Sequence, residues 1–234
     1  MSERIVLVTG AAKRIGRGIA LRLAKEGFRV AIHYNKSRSE AERTAAECGG
    51  AELFQADLES VPAITRMFAE VGERLGGLDA LVNNAARFTR FDPLKITEKD
   101  WDFIHSVNLK ATFFCCQQGA LLMKTGRIVN ISSLGGIRPW AEHVHYCASK
   151  AGVIMLTKAL AKALAPGITV NSVAPGVIPF TPEWDETTRR MVDATPAQRA
   201  GTADEIATAV LYFLNATNFV TGQLIAVDGG LSLR

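Results

Sequence analysis

Residues 8–20 read "VTGAAKRIGRGIA": the end of an apolar run, a glycine turn and the beginning of a helical pattern. A strand, a glycine loop and a helix in that order can seat the pyrophosphate of a dinucleotide. The N–H groups of the first helical turn have no partner within the helix and face an anion placed there. In this reading Gly10 makes the tight turn after the strand, Gly16 opens the helix and Ile15 lies between Arg14 and Gly16. Where the loop most needs a small residue to let phosphate approach, the chain carries Arg14, a long cation. Glycines alone also suit an ordinary turn, so the rest of the chain has to decide.

The chain has 234 residues, 48% of them hydrophobic and 21% charged, which suits one large α/β domain with a substantial core and argues against disorder. No apolar run approaches the ~20 residues of a membrane span. "MSERIVLVTG" enters a strand almost at once and leaves no room for a signal peptide, so a cytoplasmic location is expected. The four cysteines, Cys48, Cys115, Cys116 and Cys147, form no C-x-x-C pair. They read as free thiols, with neither disulfide nor metal expected. Net charge is +4, with Lys and Arg dispersed and no basic arm. That speaks against nucleic acid and suits an enzyme with a multiply phosphorylated ligand.

Short β-like runs alternate with helical ones. The candidate strands are 5–9, 29–33, 52–56, 79–83, 127–132, 168–174 and 223–228, largely apolar on both faces. Helix boundaries are legible between them. Gly27 closes the first helix, Ser60 with Pro62 opens another, and Thr97–Asp100 and Thr202–Glu205 have the spacing of capping boxes. Seven strands alternating with helices predict a doubly wound parallel sheet of Rossmann type, helices on both faces, in a single domain over 1–234. The irregular stretch 175–201 predicts a mobile loop with a short helix.

Several residues carry chemistry. After the second strand comes "HYNKSRSE" (33–40), with no carboxylate at the strand end for ribose hydroxyls. Tyr34, Asn35, Lys36 and Ser37 stand there instead, and such donors and charge suit the 2′-phosphate of NADP. Arg14 could reach the same phosphate. Ala85 and Ala86 in "LVNNAARF" (81–88) are small enough to let backbone approach a flat ring. Tyr146 and Lys150 are four apart and share a helix face. A phenol titrates near ~10, and a neighbouring ammonium is expected to lower that value. Ser133, at the end of "RIVNISS", offers a hydroxyl to a substrate oxygen, and Asn108 sits inside a helical pattern where asparagine is mildly unfavourable. His143 and His145 flank Tyr146 without a partner pattern for a metal and are read as polar residues at a helix start.

Together, "TGAAKRIG", "NNAA", "VNLK", "ISS", "YCASK", "NSVAPGVI" and "FVTGQLIAVDGG" resemble the short-chain dehydrogenase/reductase family over nearly the whole chain. The resemblance implies Tyr146 as general acid/base, Lys150 as its activator and ribose anchor, Ser133 as the group that orients the carbonyl, and Asn108 as support for a proton-relay water. It also implies that Pro175, Gly176 and Ile178 hold the carboxamide, that Asp57, with Leu58 beside it, and Asn84 flank adenine and ribose, and that Ala85 and Ala86 line the cofactor. Two positions depart from the family: Arg14 stands for a loop glycine, and Ala86 ends what is usually "NNAG". "TGAAKRIG" with "HYNKS" is similar to NADP-using pteridine reductases, and that likeness places Phe88 where a pterin could stack. Those reductases carry Asp at Ser133, whereas serine is the ordinary choice of 3-oxoacyl-carrier-protein reductases.

The expectation is an NADPH-dependent reductase of a small-molecule or carrier-bound carbonyl. A pteridine reductase and a non-catalytic dinucleotide sensor are the alternatives. The helical run 101–123 is more apolar than one sheet contact requires, and family members pair this helix in dimers or tetramers, so a homo-oligomer is expected.

Overall fold

The computed structural model describes residues 3–181 and 183–233. Seven parallel strands form one sheet in the order β3-β2-β1-β4-β5-β6-β7. They are β1 (Ile5–Val8), β2 (Arg29–Tyr34), β3 (Glu52–Gln55), β4 (Ala80–Asn83), β5 (Gly126–Ile131), β6 (Ile168–Pro175) and β7 (Leu224–Val227). Each expected strand is present to within a residue or two at either end.

The strands' own alternation divides the core. Val6 and Val8 face one layer with Ile19, Leu23 and Phe213, while Leu7 faces the other with Phe68, Met67 and Cys116. The first layer is covered by α1 (Arg14–Lys25), α2 (Arg38–Glu47) and α8 (Ala203–Asn215); the second by α3 (Val61–Leu75), α5 (Thr112–Leu122) and α6 (Val144–Ala163). Burial on both faces is why these strands read as continuous apolar runs.

The caps appear where the sequence puts them. Ser60 Oγ accepts from Ala63 N at 3.3 Å at the head of α3. Thr97 and Asp100 form a reciprocal capping box on α4 (Glu98–His105), and Thr202 and Glu205 another on α8. Gly27 follows α1 with φ 81°, a conformation glycine adopts without cost. The run 101–123 differs from a plain continuous helix: α4 passes through a π-helical segment, Ser106–Ala111, before α5. Segment 175–201 leaves β6, contains α7 (Glu186–Ala194) and returns to α8; its Pro182 lies outside the described residues.

The sheet order reverses between β1 and β4, so their carboxyl ends diverge and leave a crevice. Gly10, Asn84, Ser133 and Gly176 follow or end the strands that border it.

Candidate active site

The loop after β1 is built around close approach. Gly10 has φ 64°, and a Cβ at Gly16 would fall 2.3 Å from the Gly10 carbonyl oxygen and 2.5 Å from Asn84 Nδ2. Asn84 Nδ2 donates to the carbonyls of Thr9 and Gly10 at 2.9 and 3.2 Å, and Thr9 Oγ1 accepts from Asn84 N and Ala85 N at 2.9 and 3.1 Å. The Asn84 amide thus braces the glycine loop. Helix α1 begins without a side-chain cap, unlike α3, α4, α7 and α8, and without the acidic first-turn residue that α4, α7 and α8 carry. An uncapped N-terminus facing the crevice leaves donors for a phosphate anion, so these residues fit a dinucleotide.

The loop is also tied sideways. Gly10 N donates to Nδ1 of buried His33 at 3.0 Å, and the other ring nitrogen of His33 lies 3.1 Å from the Ala56 carbonyl. An acceptor at Nδ1 places the ring hydrogen on Nε2, and burial pushes the imidazole down to about 4. The sequence reading passed over His33, which lies among apolar residues of a strand.

At the end of β2, Tyr34 is buried, Asn35 is half-buried and Lys36 is exposed. Ser37 begins α2 with a hydroxyl that makes no capping bond, and Arg38 pairs with Glu42. Asp57 accepts from Glu59 N at 3.1 Å, shaping the turn after β3, and Leu58 is buried. Ala86, where the family usually has glycine, is not among the described residues with positive φ, so alanine fits there without strain. Arg14 is: its φ is 55°. Its guanidinium lies 5.0 Å from the ring centroid of Phe180, in segment 175–201.

On the other side of the crevice, α6 carries Tyr146 and Lys150, both buried. Ser133, buried after β5, has an Oγ that accepts from Gly135 N at 3.0 Å. Lys150 Nζ donates to the Ile131 carbonyl at 2.8 Å and stands 5.9 Å from the Tyr146 ring centroid. Burial pushes the phenol up to about 12, opposed in part by the neighbouring Ser133 hydroxyl. The same burial pushes Lys150 down to about 8. The expectation is a phenol lowered by its lysine; in the chain alone, burial sets the direction and raises it instead. At neutral pH, Tyr146 keeps its proton and Lys150 its charge.

Asn108 lies in the π-helical turn, a distortion often found at functional sites. Both ends of its amide are engaged. Oδ1 accepts from Arg87 N at 2.7 Å, and Nδ2 donates to Arg87 O at 2.9 Å and to Ser149 Oγ at 3.1 Å. Ser149 Oγ in turn donates to the Tyr146 carbonyl at 2.7 Å. The side chain of Asn108 therefore fixes the stretch after β4 against the start of α6.

Aromatic rings surround Tyr146. Phe88, 58% exposed, presents its edge to Tyr146 at 4.7 Å and stacks on His143 at 4.4 Å. Trp140 lies parallel to Tyr146 at 6.2 Å. His143 Nδ1 is 2.8 Å from the Thr89 carbonyl and His145 Nε2 is 2.7 Å from Thr89 Oγ1. Both histidines thus pin the stretch that carries Phe88. Pro175 ends β6, and a Cβ on Gly176 would fall 2.6 Å from Asp228 Cα, so this turn too demands glycine. Ile178 packs half-buried on the core.

The phenol of Tyr146 and the hydroxyl of Ser133 thus lie together beside the crevice, and known proteins show which class of enzyme has this fold. The family model described as "Enoyl-(Acyl carrier protein) reductase" matches residues 10–232. The 3-oxoacyl-[acyl-carrier-protein] reductase of Staphylococcus aureus is 40% identical, with 96% of each chain covered. The (2S)-[(R)-hydroxy(phenyl)methyl]succinyl-CoA dehydrogenase subunit of Thauera aromatica is 38% identical, with 100% of this chain and 98% of that one covered. Among solved structures, a Serratia marcescens short-chain dehydrogenase/reductase variant superposes with TM-score 0.92 at 31% identity, covering 98% of both chains. An actinorhodin polyketide ketoreductase variant with NADPH gives 0.91 at 34%, covering 99% of this chain and 98% of that one. The chain belongs to the short-chain dehydrogenase/reductase family. It is an oxidoreductase acting on carbonyl or alcohol groups.

Proposed function

We propose that the protein is an NADPH-dependent ketoreductase acting on a 3-oxoacyl thioester or a similar carrier-bound ketone. The observation that carries this reading is the burial of Ser133, Tyr146 and Lys150 together at the carboxyl end of the sheet. Bound NADPH supplies the hydride. Tyr146 gives its proton to the carbonyl oxygen as negative charge develops there, and the Ser133 hydroxyl donates a hydrogen bond to the same oxygen. The product is the alcohol, with one hydride on carbon and one proton on oxygen. Lys150 contributes a fixed cation next to the phenolate left behind and holds the ribose hydroxyls of the cofactor. Gly10, Ile15 and Gly16 with the head of α1 take the pyrophosphate. Asp57, Leu58, Asn84, Ala85 and Ala86 border the adenosine and ribose, while Pro175, Gly176 and Ile178 take the carboxamide.

The preference for NADPH rests on the end of β2. Lys36 is exposed, Ser37 has an unused hydroxyl, and no carboxylate stands among Tyr34, Asn35, Lys36 and Ser37. The S. aureus relative is named for acyl-carrier-protein substrates, which supports a carrier-bound substrate here. No helix among the described residues is long and apolar enough to cross a membrane; the proposed enzyme works as one domain, in the cytoplasm, as a homo-oligomer.

The exposed ring of Phe88 beside Tyr146 favours a second reading, in which a flat dihydropterin is reduced. Following the absorbance of NADPH with acetoacetyl-CoA and with dihydrobiopterin separates the two. Turnover of the thioester alone supports the ketoreductase, turnover of the pterin alone replaces it with the second reading, and turnover of neither defeats both.

A further inference from the structure

Arg14 raises a question that the cofactor does not answer. Its φ of 55° is a region that glycine enters freely and other residues at a cost, so a cation here stores local strain in the phosphate loop. Such strain persists where the side chain does something. Arg4, Arg74 and Arg87 also stand over aromatic rings, but each has polar partners as well: Arg4 donates to the Leu214 carbonyl and to Asn215 Oδ1, Arg74 pairs with Glu52 and Glu70, and Arg87 pairs with Glu59. Arg14 makes no ion pair among the described residues, and its recorded side-chain partner is the ring of Phe180.

Phe180 lies where segment 175–201 needs an attachment. The stem of that segment is fixed: Gly201 N donates to the Val177 carbonyl at 3.0 Å, and Ala197 N to the Gly229 carbonyl at 3.0 Å. Between them, among the described residues 178–191, no backbone hydrogen bond reaches the rest of the molecule. The half-exposed ring of Phe180, close to the start of this stretch, meets the phosphate loop through Arg14.

We propose that Arg14 is a positioning residue for substrate: it docks segment 175–201 onto the phosphate loop through the ring of Phe180. The segment leaves β6 directly after the Pro175–Gly176 turn, so its placement sets the substrate-side wall of the crevice. The proposal rests on the oxidoreductase reading of that crevice and moves Arg14 from the 2′-phosphate to the substrate side.

The test uses the full chain with Arg14→Gly, Phe180→Leu and the double variant. Glycine is at ease at φ 55°, so Arg14→Gly is expected to keep or raise Tm, which removes misfolding as an explanation. KM for acetoacetyl-CoA should rise roughly two- to five-fold in each single variant, the size of one exposed cation–π contact, with no further rise in the double. Trypsin cleavage at Arg189 and Arg190 should accelerate alike in both single variants and no further in the double, while the NADPH dissociation constant stays within about twofold. A large loss of NADPH affinity in Arg14→Gly with Phe180→Leu silent would return Arg14 to the cofactor phosphate and overturn the proposal. So would additive effects, or no change in KM and cleavage. If the wild-type protein reduces no carbonyl, the functional reading fails by itself; the cleavage rates need no turnover and still decide whether Arg14 docks the segment.

Discussion

His33 shows how one side chain can tie a cofactor loop to the sheet. It accepts from Gly10 N, and its other nitrogen faces the Ala56 carbonyl, so only the neutral ring hydrogen-bonds on both sides. Burial lowers its pKa from 6.5 to about 4. As pH falls, the unfolded chain takes up this proton first. The stability that the neutral ring contributes is fully present above pH 6.5 and is lost as pH falls through the folded value near 4. At 1.36 kcal/mol per unit the contribution is on the order of 3 kcal/mol. His33→Asn retains an acceptor for Gly10 N without a titrating ring, so urea midpoints between pH 7 and 4 should fall less steeply than in the wild type. Equal slopes would remove His33 from the account. Lys150 gives a second pH dependence, in activity. Its ammonium discharges near pH 8, so kcat should fall on the alkaline side with a midpoint close to that value. A rate level through pH 10 would mean that the charge on Lys150 does not matter.

Among the elements, the π-helical turn does the most to assemble the site. It brings the Asn108 amide to both backbone groups of Arg87 and to Ser149, joining α4–α5, the stretch after β4 and α6. Asn108→Ala strips partners from the Arg87 N–H and C=O and is expected to cost about 1–3 kcal/mol in urea unfolding. It should also lower kcat more than it changes NADPH affinity, and unchanged stability and rate would contradict the role. The strands and the capping boxes at Thr97 and Thr202 were legible because local rules decide them: period, cap spacing and a breaker. Ser133, Tyr146 and Lys150, which the structure buries near one another, stood out because their motifs lie within short stretches. The π turn was not, because "HSVNLKA" has the composition of any helix and its distortion answers to tertiary contacts. Nor was the engagement of Arg14 with Phe180, 166 positions along the chain. The raised phenol also escaped, since burial cannot be read from a spacing of four residues.

At the scale of the molecule, the second layer of helices leaves apolar surface uncovered. Leu121 on α5 and Met155 on α6 are 75% and 63% exposed, and Phe113 on α5 is partly exposed as well. A homo-oligomer through α5 and α6 would bury these side chains, each contributing about 1.5–3 kcal/mol on full burial. Sedimentation at micromolar concentration should show a dimer or tetramer, and Leu121→Glu should shift it towards monomer; a monomer alone in the wild type would contradict the assembly. The proposed catalysis belongs to the whole arrangement, since in it Tyr146 donates a proton only where the sheet, α6 and the cofactor crevice bring it to the carbonyl. Tyr146→Phe removes that proton and little else, so kcat measured beside NADPH affinity is the most direct test. The account predicts turnover lower by ~10²–10⁴-fold with NADPH binding unchanged; wild-type turnover in Tyr146→Phe would contradict it.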